Sequence, residues 1–342
     1  MSMHSSATVD QNTNADLREV TLGQAIREAL AEEMRRDPRV FIMGEDVAEA
    51  GTAFKVLTGL VEEFGSSRVI DTPISEAGIT GLGVGGAMTG MRPIVDIMFG
   101  DFIGLAMDQI VNQAAKVHYM SGGKLRVPLV VRTTMGATRR TAAQHSQSLQ
   151  AWVSHVPGLK VVLPSTPYDA KGLLKTAIRD DNPVIFFEDK MMYQLKGLVP
   201  DTDYTIPFGV ADIKRPGLDV TIVATSSMVQ IALAAAEMLE KLDISAEVVD
   251  PRTTFPLDKD TLIGSAKKTS RAIIMDEGYE RYGVTAELAA VIAEGAFYYL
   301  DAPVKRLGAM DVPVPFSPVL EDLTVPTPDV VVEVAKALCG RV

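Results

Sequence analysis

The sequence predicts an α/β protein of two domains, and three observations support this. Short apolar runs alternate with helical patterns along most of the chain. With 342 residues, of which 47% are hydrophobic, the chain exceeds the usual size of one domain. Residues 193–216 lose the periodicity and concentrate Pro, Gly and Asp, which is typical of a domain connection. We therefore expect a boundary near residue 201.

The first domain should begin with an amphipathic helix. Thr21 and Gln24 have the spacing of a capping box, and the helix should end before Pro38. The apolar runs that follow predict strands, and their alternation with helices predicts a parallel sheet. These runs lie at residues 40–43, 69–70, 94–98, 128–131, 160–163 and 184–187.

A helix over residues 167–179 has both a capping residue, Thr166, and a first-turn proline. The second, smaller domain shows the same alternation. Its predicted strands are residues 220–224, 247–249 and 272–275, and its predicted helices are 228–242, 284–294 and a last one from 329. The proline-rich tract 313–328 is expected to be extended along the surface.

Composition excludes several function classes. The balance of 33 basic against 44 acidic residues gives a net charge of -11, which repels nucleic acid and anionic membrane surfaces. The single cysteine, Cys339, excludes an internal disulfide, and no apolar run is long enough for a membrane span. Residues 1–17 contain no Lys or Arg and resemble no targeting peptide, so we expect a flexible tail on a cytoplasmic protein.

Glu76 lies just after a predicted strand, in the word DTPISEAG at residues 71–78. Ligands of open α/β sheets gather where parallel strands end. The residues alone also fit an ordinary helix N-terminal acid that favours the helix dipole.

Residues 81–86 match the dinucleotide pattern G-x-G-x-x-G, which suggests a nicotinamide-dependent oxidoreductase. We reject that interpretation, because about ten residues separate the glycines from the preceding strand instead of a tight turn. The small residues Gly78, Gly81, Gly85 and Ala87 predict instead close packing against another helix or subunit.

His145 lies in a stretch, residues 136–150, with too little apolar periodicity for a core element. Such a histidine is usually structural or solvated. In the same stretch, Arg139 and Arg140 either steer an anionic substrate or face water.

Several long words occur in order, among them GEDV at 44–47, DQIVNQAAK at 108–116 and AAQHSQ at 142–147, in addition to residues 71–78. With further matches at 157–162, 168–174 and 313–316, the chain resembles the β subunits of thiamine-diphosphate-dependent pyruvate, branched-chain 2-oxo-acid and acetoin dehydrogenases over residues 18–340. The resemblance implies a transketolase-like pyrimidine-binding domain at 18–200 and a transketolase C-terminal-like domain at 201–342.

The resemblance also implies roles for individual residues. The glutamate matching Glu76 hydrogen-bonds the aminopyrimidine ring of thiamine diphosphate, and Ile74, Met98 and Phe102 match positions that pack against this ring. His145 matches a residue beside the thiazolium that binds a substrate carboxylate or lipoyl group and moves protons.

A structural potassium ion is a further implication of the resemblance. Leu129, Ala177, Asp180 and Asn182 match the positions whose oxygens hold this ion in some members, and oxygen ligands suit a hard cation. An ordinary helix-to-strand turn explains the same residues equally well.

The family comparison predicts that this chain carries half of an active site. An α subunit should supply magnesium and the diphosphate site, in an assembly of two α and two β chains, and a dihydrolipoyl acyltransferase core should receive the acyl group on its lipoyl arm. Residues 142–144, Ala-Ala-Gln, stand where some relatives carry further histidines, which favours pyruvate or, as the alternative, acetoin as substrate. A non-catalytic scaffold and the nicotinamide oxidoreductase are the remaining alternatives.

Overall fold

A computed structural model describes residues 16–341, which form two compact units. The first contains residues 16–135 and 152–208, and the second contains residues 136–151 and 209–341. The predicted tail lies outside the described residues except at its end, where Leu17 already begins a strand. The chain passes from one unit to the other after residues 135, 151 and 208. The domain boundary near residue 201 stays a prediction.

The first unit contains eight of the strands and its helices surround them. The strands are β1 (Leu17–Thr21), β2 (Val40–Gly44), β3 (Val69–Asp71), β4 (Arg92–Ile97), β5 (Val130–Met135), β6 (Lys160–Val162), β7 (Val184–Asp189) and β8 (Lys196–Pro200). The helices are α1 (Leu22–Arg36), α2 (Leu60–Phe64), α3 (Glu76–Met88), α4 (Ala115–Met120), α5 (Gln150–Ser154), in which the chain returns to this unit, and α6 (Pro167–Arg179). Two 3-10 helices (Gly100–Ala106 and Met192–Gln194) and a π-helix (Asp108–Ala114) complete it.

Six of these strands form a sheet in the order β6-β7-β5-β4-β2-β3, and every neighbouring pair is parallel. The carboxyl ends of all six therefore lie at one edge of the sheet. Helix α1 has both bonds of the predicted capping box, with Gln24 N donating to Thr21 Oγ1 at 3.2 Å and Thr21 N donating to Gln24 Oε1 at 2.8 Å. It buries the predicted apolar face against the sheet core.

Two segments without apolar periodicity contain regular structure. Residues 193–216, the predicted domain connection, contain β8, which pairs antiparallel with β1, and a further strand at Asp212–Arg215. The tract 313–328 contains a short helix at Pro318–Glu321, so the predicted extended path was wrong at these four residues. Pairing with a distant strand, or a single helical turn after a proline, leaves no periodic signal in a local window.

The second unit has a mixed sheet covered on both faces. Its strands are β9 (Asp212–Arg215), β10 (Val220–Ala224), β11 (Ala246–Asp250), β12 (Thr253–Phe255), β13 (Ala272–Tyr279) and β14 (Lys305–Ala309), and its helices are α7 (Met228–Glu240), α8 (Lys259–Thr269), α9 (Val284–Ala296), α10 (Pro318–Glu321) and α11 (Pro328–Leu338), with a 3-10 turn at Phe297–Tyr299. Five of the unit's strands, all except β12, form the mixed sheet in the order β14-β13-β10-β11-β9, which is parallel except for β9. Alternate residues of β10 enter opposite core clusters, as the two-residue strand period requires.

None of the helices in residues 16–341 is both long enough and apolar enough to span a membrane.

Candidate functional site

Three neighbouring strands bring the predicted ring-binding residues to one edge of the first sheet. Strand β2 lies between β4 and β3, and all three are parallel. Ile74 and Glu76 follow β3, whereas Met98 and Phe102 follow β4. The fold therefore gathers all four at the carboxyl edge, where open α/β sheets bind ligands.

Glu76 is the first residue of α3, directly after the capping position Ser75. Its side chain is half-buried, and no group within residues 16–341 donates a hydrogen bond to its carboxylate. The free N–H groups of a helix N-terminus favour a negative charge at this position. Glu76 is thus held in place by its helix while its oxygens stay available to a ligand.

A second carboxylate, Glu45, follows β2 at the same edge and was not among the predicted site residues. Burial, with smaller contributions from the negative charges of Asp46 and Glu76, raises the pKa of the Glu45 carboxyl. Glu45 and Glu76 both lie at the carboxyl edge, after the neighbouring parallel strands β2 and β3. The sequence feature that could have identified Glu45 is its position directly after a predicted strand, in the word GEDV.

The apolar side chains predicted to contact the ring differ in accessibility. Ile74 is 72% exposed, and Phe102 is half-buried on a 3-10 helix, edge-on to Phe99 with ring centroids 6.2 Å apart. Met98 is half-buried, and its carbonyl accepts a hydrogen bond from Thr134 Oγ1 at 2.9 Å. Ile74 thus presents apolar surface close in sequence to the Glu76 carboxylate.

A buried ionic cluster lies beneath Met98. Arg132 on β5 donates to Asp96 on β4 and, through two bonds of 2.8 and 2.6 Å, to Glu188 on β7. Tyr193 Oη donates to Glu188 Oε2 at 2.7 Å. Because one guanidinium serves two buried carboxylates, burial outweighs its attraction and raises the pKa of Asp96 to about 6.

A cavity of about 10 Å³ lies between this cluster and Met98. Such a volume holds about one water molecule. Charged residues inside three apolar strands were the sequence signal for the cluster, but periodicity alone does not show that they meet. The cluster ties β4, β5 and β7 together directly below the carboxyl edge.

The candidate potassium ligands lie at the opposite edge of the same sheet. Leu129 precedes β5, and its carbonyl accepts a hydrogen bond from Val184 N at 2.9 Å. The Ala177 carbonyl accepts from Asp180 N at 3.3 Å. Asn182 N and Nδ2 both donate to Asp180 Oδ1 at 2.8 Å. Ala177, Asp180 and Asn182 therefore lie at the turn between α6 and β7, and Leu129 adjoins it through its bond to Val184 on the neighbouring strand.

The chain's own cations already serve this turn. Lys160 pairs with the Asp180 carboxylate. Arg92 donates to the carbonyls of residues 178, 179 and 180 at 2.7–2.8 Å and to the Asp181 carboxylate at 3.1 Å. Arg126 pairs with the other oxygen of Asp181. In residues 16–341 there is no group of three or more His, Cys, Asp or Glu side chains that could hold a metal ion.

His145 belongs to the second unit, in the segment 136–151. It is half-buried, and its carbonyl accepts a hydrogen bond from Thr141 Oγ1 at 3.0 Å. Arg140 is paired with both Glu321 and Asp322, and these hydrogen bonds, the one to Asp322 most, raise the pKa of its guanidinium. Arg140 therefore neither faces water alone nor presents an unpaired charge to a substrate. Arg139 is exposed.

Comparison with known proteins identifies the families of both domains. Residues 18–196 match the transketolase pyrimidine-binding domain, and residues 209–331 match the transketolase C-terminal domain. A solved structure titled a split-gene transketolase, an inactive β4 tetramer, superposes with a TM-score of 0.76 at 24% identity, covering 94% of this chain and 98% of that one. The match to that structure shows the fold.

Two relatives share half of their residues with this chain. The acetoin:2,6-dichlorophenolindophenol oxidoreductase subunit beta of Bacillus subtilis is 52% identical, covering 95% of this chain and 98% of its own length. The pyruvate dehydrogenase E1 component subunit beta of Rickettsia felis is also 52% identical, covering 94% and 98%. With both domains matched and such identity along nearly its whole length, this chain belongs to the family of β subunits of thiamine-diphosphate-dependent 2-oxo-acid and acetoin dehydrogenases.

Proposed function

We propose that this chain binds the aminopyrimidine half of thiamine diphosphate through Glu76, and that with an α subunit it decarboxylates pyruvate and passes the acetyl group to a lipoyl arm. The observation that carries this proposal is the half-buried Glu76 carboxylate, without a hydrogen-bond donor in residues 16–341, beside exposed Ile74. An aminopyrimidine has apolar faces and polar edges, so a carboxyl group flanked by apolar side chains fits it.

Each residue then has a defined task. Thiamine diphosphate supplies, when bound, a carbon nucleophile for the substrate carbonyl and an electron sink for decarboxylation. Glu76 holds a proton between its carboxyl oxygen and a ring nitrogen, which tunes the basicity of the opposite amino group. Ile74, Met98 and Phe102 orient the ring and exclude water. Rigid strand ends above the Asp96–Arg132–Glu188 cluster preserve this geometry.

His145 is proposed to act later, by binding the substrate carboxylate or the lipoyl group and moving a proton. The variant His145→Ala should slow acyl transfer to lipoyl more than hydrogen–deuterium exchange at the thiazolium carbon. His155→Ala is the control, because His155 is exposed. Equal loss of both rates would show that His145 acts earlier in the reaction.

The rest of the site is assigned to an α subunit, which would hold magnesium and the diphosphate. Exposed apolar side chains on the first unit support a covering partner: Leu82 on α3, Leu105 on the 3-10 helix, and Tyr119 and Met120 on α4 are 62–88% exposed. We also propose that two α and two β chains assemble, that the second domain docks on an acyltransferase core, and that the complex works in the cytoplasm.

Calorimetry with magnesium and thiamine diphosphate tests the shared site. The isolated chain should show no tight binding, and binding should emerge when the α subunit is added. Micromolar or tighter binding by the isolated chain would contradict the proposal.

The substrate is a separate question, since pyruvate and acetoin dehydrogenase subunits are equally similar to this chain. Pyruvate is our first candidate and acetoin is the second. Steady-state kinetics of the reconstituted α and β pair should show a preference for one of these over a branched 2-oxo acid. A clear preference for the branched substrate would refute this assignment.

The potassium site also stays a proposal. The carbonyl oxygens of Leu129 and Ala177 each accept one hydrogen bond and keep a second lone pair, so they remain able to coordinate a monovalent ion. The melting temperature should be higher in potassium chloride than in choline chloride at equal ionic strength, because a bound ion stabilises the folded state. The variant Asn182→Ala should lose this difference. If the unmodified chain has the same melting temperature in both salts, the residues form an ordinary turn that binds no potassium.

A further inference from the structure

The segment that carries His145 has a strained backbone. Between Gly136 and α5, three non-glycine residues have left-handed φ angles: Thr138 at 65°, Arg140 at 61° and Ala142 at 60°. A β-branched residue such as Thr138 rarely adopts this conformation. Each such residue costs of order 1–3 kcal/mol and persists only where surrounding contacts hold it. Contacts that hold this segment are therefore expected.

Both ends of the segment are fastened to one strand, β13. Near its start, Ala137 N donates to Glu277 Oε1 at 2.6 Å. At its end, Gln150 Nε2 donates to both carboxylate oxygens of Asp276, at 2.9 and 2.7 Å. Asp276 and Glu277 are adjacent and buried, so the two ends of the segment are held by consecutive residues.

The middle of the segment is held by Arg140. Its guanidinium donates to Glu321 Oε2 at 2.8 Å, and through Nη1 and Nη2 to the two oxygens of Asp322 at 2.6 and 3.0 Å. The backbone N–H of Arg140 adds a bond of 3.2 Å to Glu321 Oε2. Glu321 is fully buried at the end of α10, so its carboxylate is a rigid acceptor. Forked guanidinium–carboxylate bonds fix orientation as well as distance.

Arg140 is connected to His145 by a short path. The next residue, Thr141, donates its hydroxyl to the His145 carbonyl at 3.0 Å and shares a hydrogen bond of 2.9 Å with the Ser146 hydroxyl. The His145 N–H donates to the Ala142 carbonyl at 3.3 Å. A change in the Arg140 backbone therefore moves the turn that presents the imidazole.

We propose that Glu321 and Asp322 of α10 and its following turn are positioning residues, which hold the His145 segment in its strained conformation through Arg140. The inference rests on the proposed role of His145 in acyl transfer. It also assigns Arg140 to the architecture of the segment rather than to binding of an anionic substrate.

The test compares Arg140→Ala and Arg140→Lys with Arg281→Ala. Arg281 forms an exposed ion pair with Asp311 in the same unit, outside the segment, and is the matched control. Lysine keeps the charge but cannot form the forked bonds, so it should rescue only part of the loss. Amide hydrogen exchange of residues 136–151 in the full chain, without cofactor, measures directly how firmly this segment is held in its conformation.

In Arg140→Ala, exchange in this segment should accelerate about tenfold or more, with no change in Arg281→Ala. In the assembled enzyme, acyl transfer to lipoyl should fall about tenfold to a hundredfold, as expected for misplacement of a catalytic group by about 1 Å. Exchange at the thiazolium carbon should stay within about twofold, which a general loss of folding would not allow.

Unchanged amide exchange in Arg140→Ala would overturn the inference. The inference would also be overturned if Arg140→Ala accelerates amide exchange without slowing acyl transfer, provided that His145→Ala does slow acyl transfer. If His145→Ala has no effect on acyl transfer, the proposed role of His145 fails by itself, and faster amide exchange would then support only the hold on the segment.

Discussion

The two edges of the first sheet use charge in opposite ways. At the amino edge, each carboxylate meets a cation of the chain: Asp180 pairs with Lys160, and Asp181 is shared by Arg92 and Arg126. Arg92 also satisfies three carbonyls that the end of α6 would otherwise leave without donors. The carboxylates and carbonyls named here therefore find their partners within the chain.

The carboxyl edge is incomplete by comparison. Glu76 receives no hydrogen bond from the described part of the chain, Glu45 has a raised pKa, and Ile74 stands exposed. Burying polar groups without partners is costly, so chains normally avoid such an arrangement. The contrast suits an amino edge that maintains the fold and the proposed role of the carboxyl edge in binding. Substitutions at the two edges should therefore affect different measurements.

The largest expected effect is on turnover. Glu76→Gln keeps the shape of the side chain but removes its ionisable group, so kcat of the assembled enzyme should fall by about 10²–10⁴-fold. The melting temperature should be nearly unchanged. Glu62→Gln is the control, because Glu62 is also a first-turn acid but is exposed on α2. Near-normal turnover of Glu76→Gln would favour a non-catalytic scaffold subunit.

At the amino edge, Arg92→Met should instead destabilise the fold. It leaves three carbonyls without this donor and removes a partner of Asp181, which should lower the free energy of unfolding by about 3 kcal/mol. Arg126→Met should cost about 1 kcal/mol or less, since Arg126 is 64% exposed. Urea unfolding measures both, and kcat per folded enzyme should not change. Equal losses in the two variants would refute the special role of Arg92.

The cluster beneath the carboxyl edge predicts a pH dependence. Burial raises the pKa of Asp96 from 3.8 to about 6, so the folded state binds more protons than the unfolded chain between these values. The stability that Asp96 contributes is fully present below about pH 4 and is lost as the pH rises through about 6, a change of up to about 3 kcal/mol.

Other carboxyl groups have lowered pKa values and change stability in the opposite direction, so the prediction concerns a difference. The unfolding free energy of the unmodified chain minus that of Asp96→Asn should decrease from pH 4 to pH 6. Urea unfolding of both proteins at pH 4, 5, 6 and 7 measures this difference. A flat difference for Asp96→Asn would show that Asp96 titrates near its ordinary value.

The smallest effect is expected at Ile74. Truncation by Ile74→Ala should weaken thiamine diphosphate binding to the assembled enzyme about tenfold, because part of the apolar contact with the ring is lost. Leu218→Ala in the second unit is a control of similar exposure, 70% against 72%. Isothermal titration calorimetry compares the two, and equal affinities would remove Ile74 from the ring contact.

Local sequence patterns were sufficient for most elements. The capping box of α1, the first-turn proline of α6 and strand β10 occur at the predicted residues, because caps and apolar periodicity are properties of a few neighbouring residues. Words of several residues were likewise sufficient for the family, because several long matches in the same order rarely arise by chance. The sequence by itself thus determined the fold class, the family and the candidacy of Glu76.

Other features depend on contacts between residues far apart in the chain, and only the tertiary structure decided them. The antiparallel pairing of β1 with β8 joins segments more than 170 positions apart, and the bond from Arg140 to Glu321 spans 181. Arg132 meets Asp96 and Glu188 only because β5 lies between β4 and β7. A short window of sequence contains no information on which distant charges meet. The charge pairing that distinguishes the amino edge from the carboxyl edge therefore became known only from the fold.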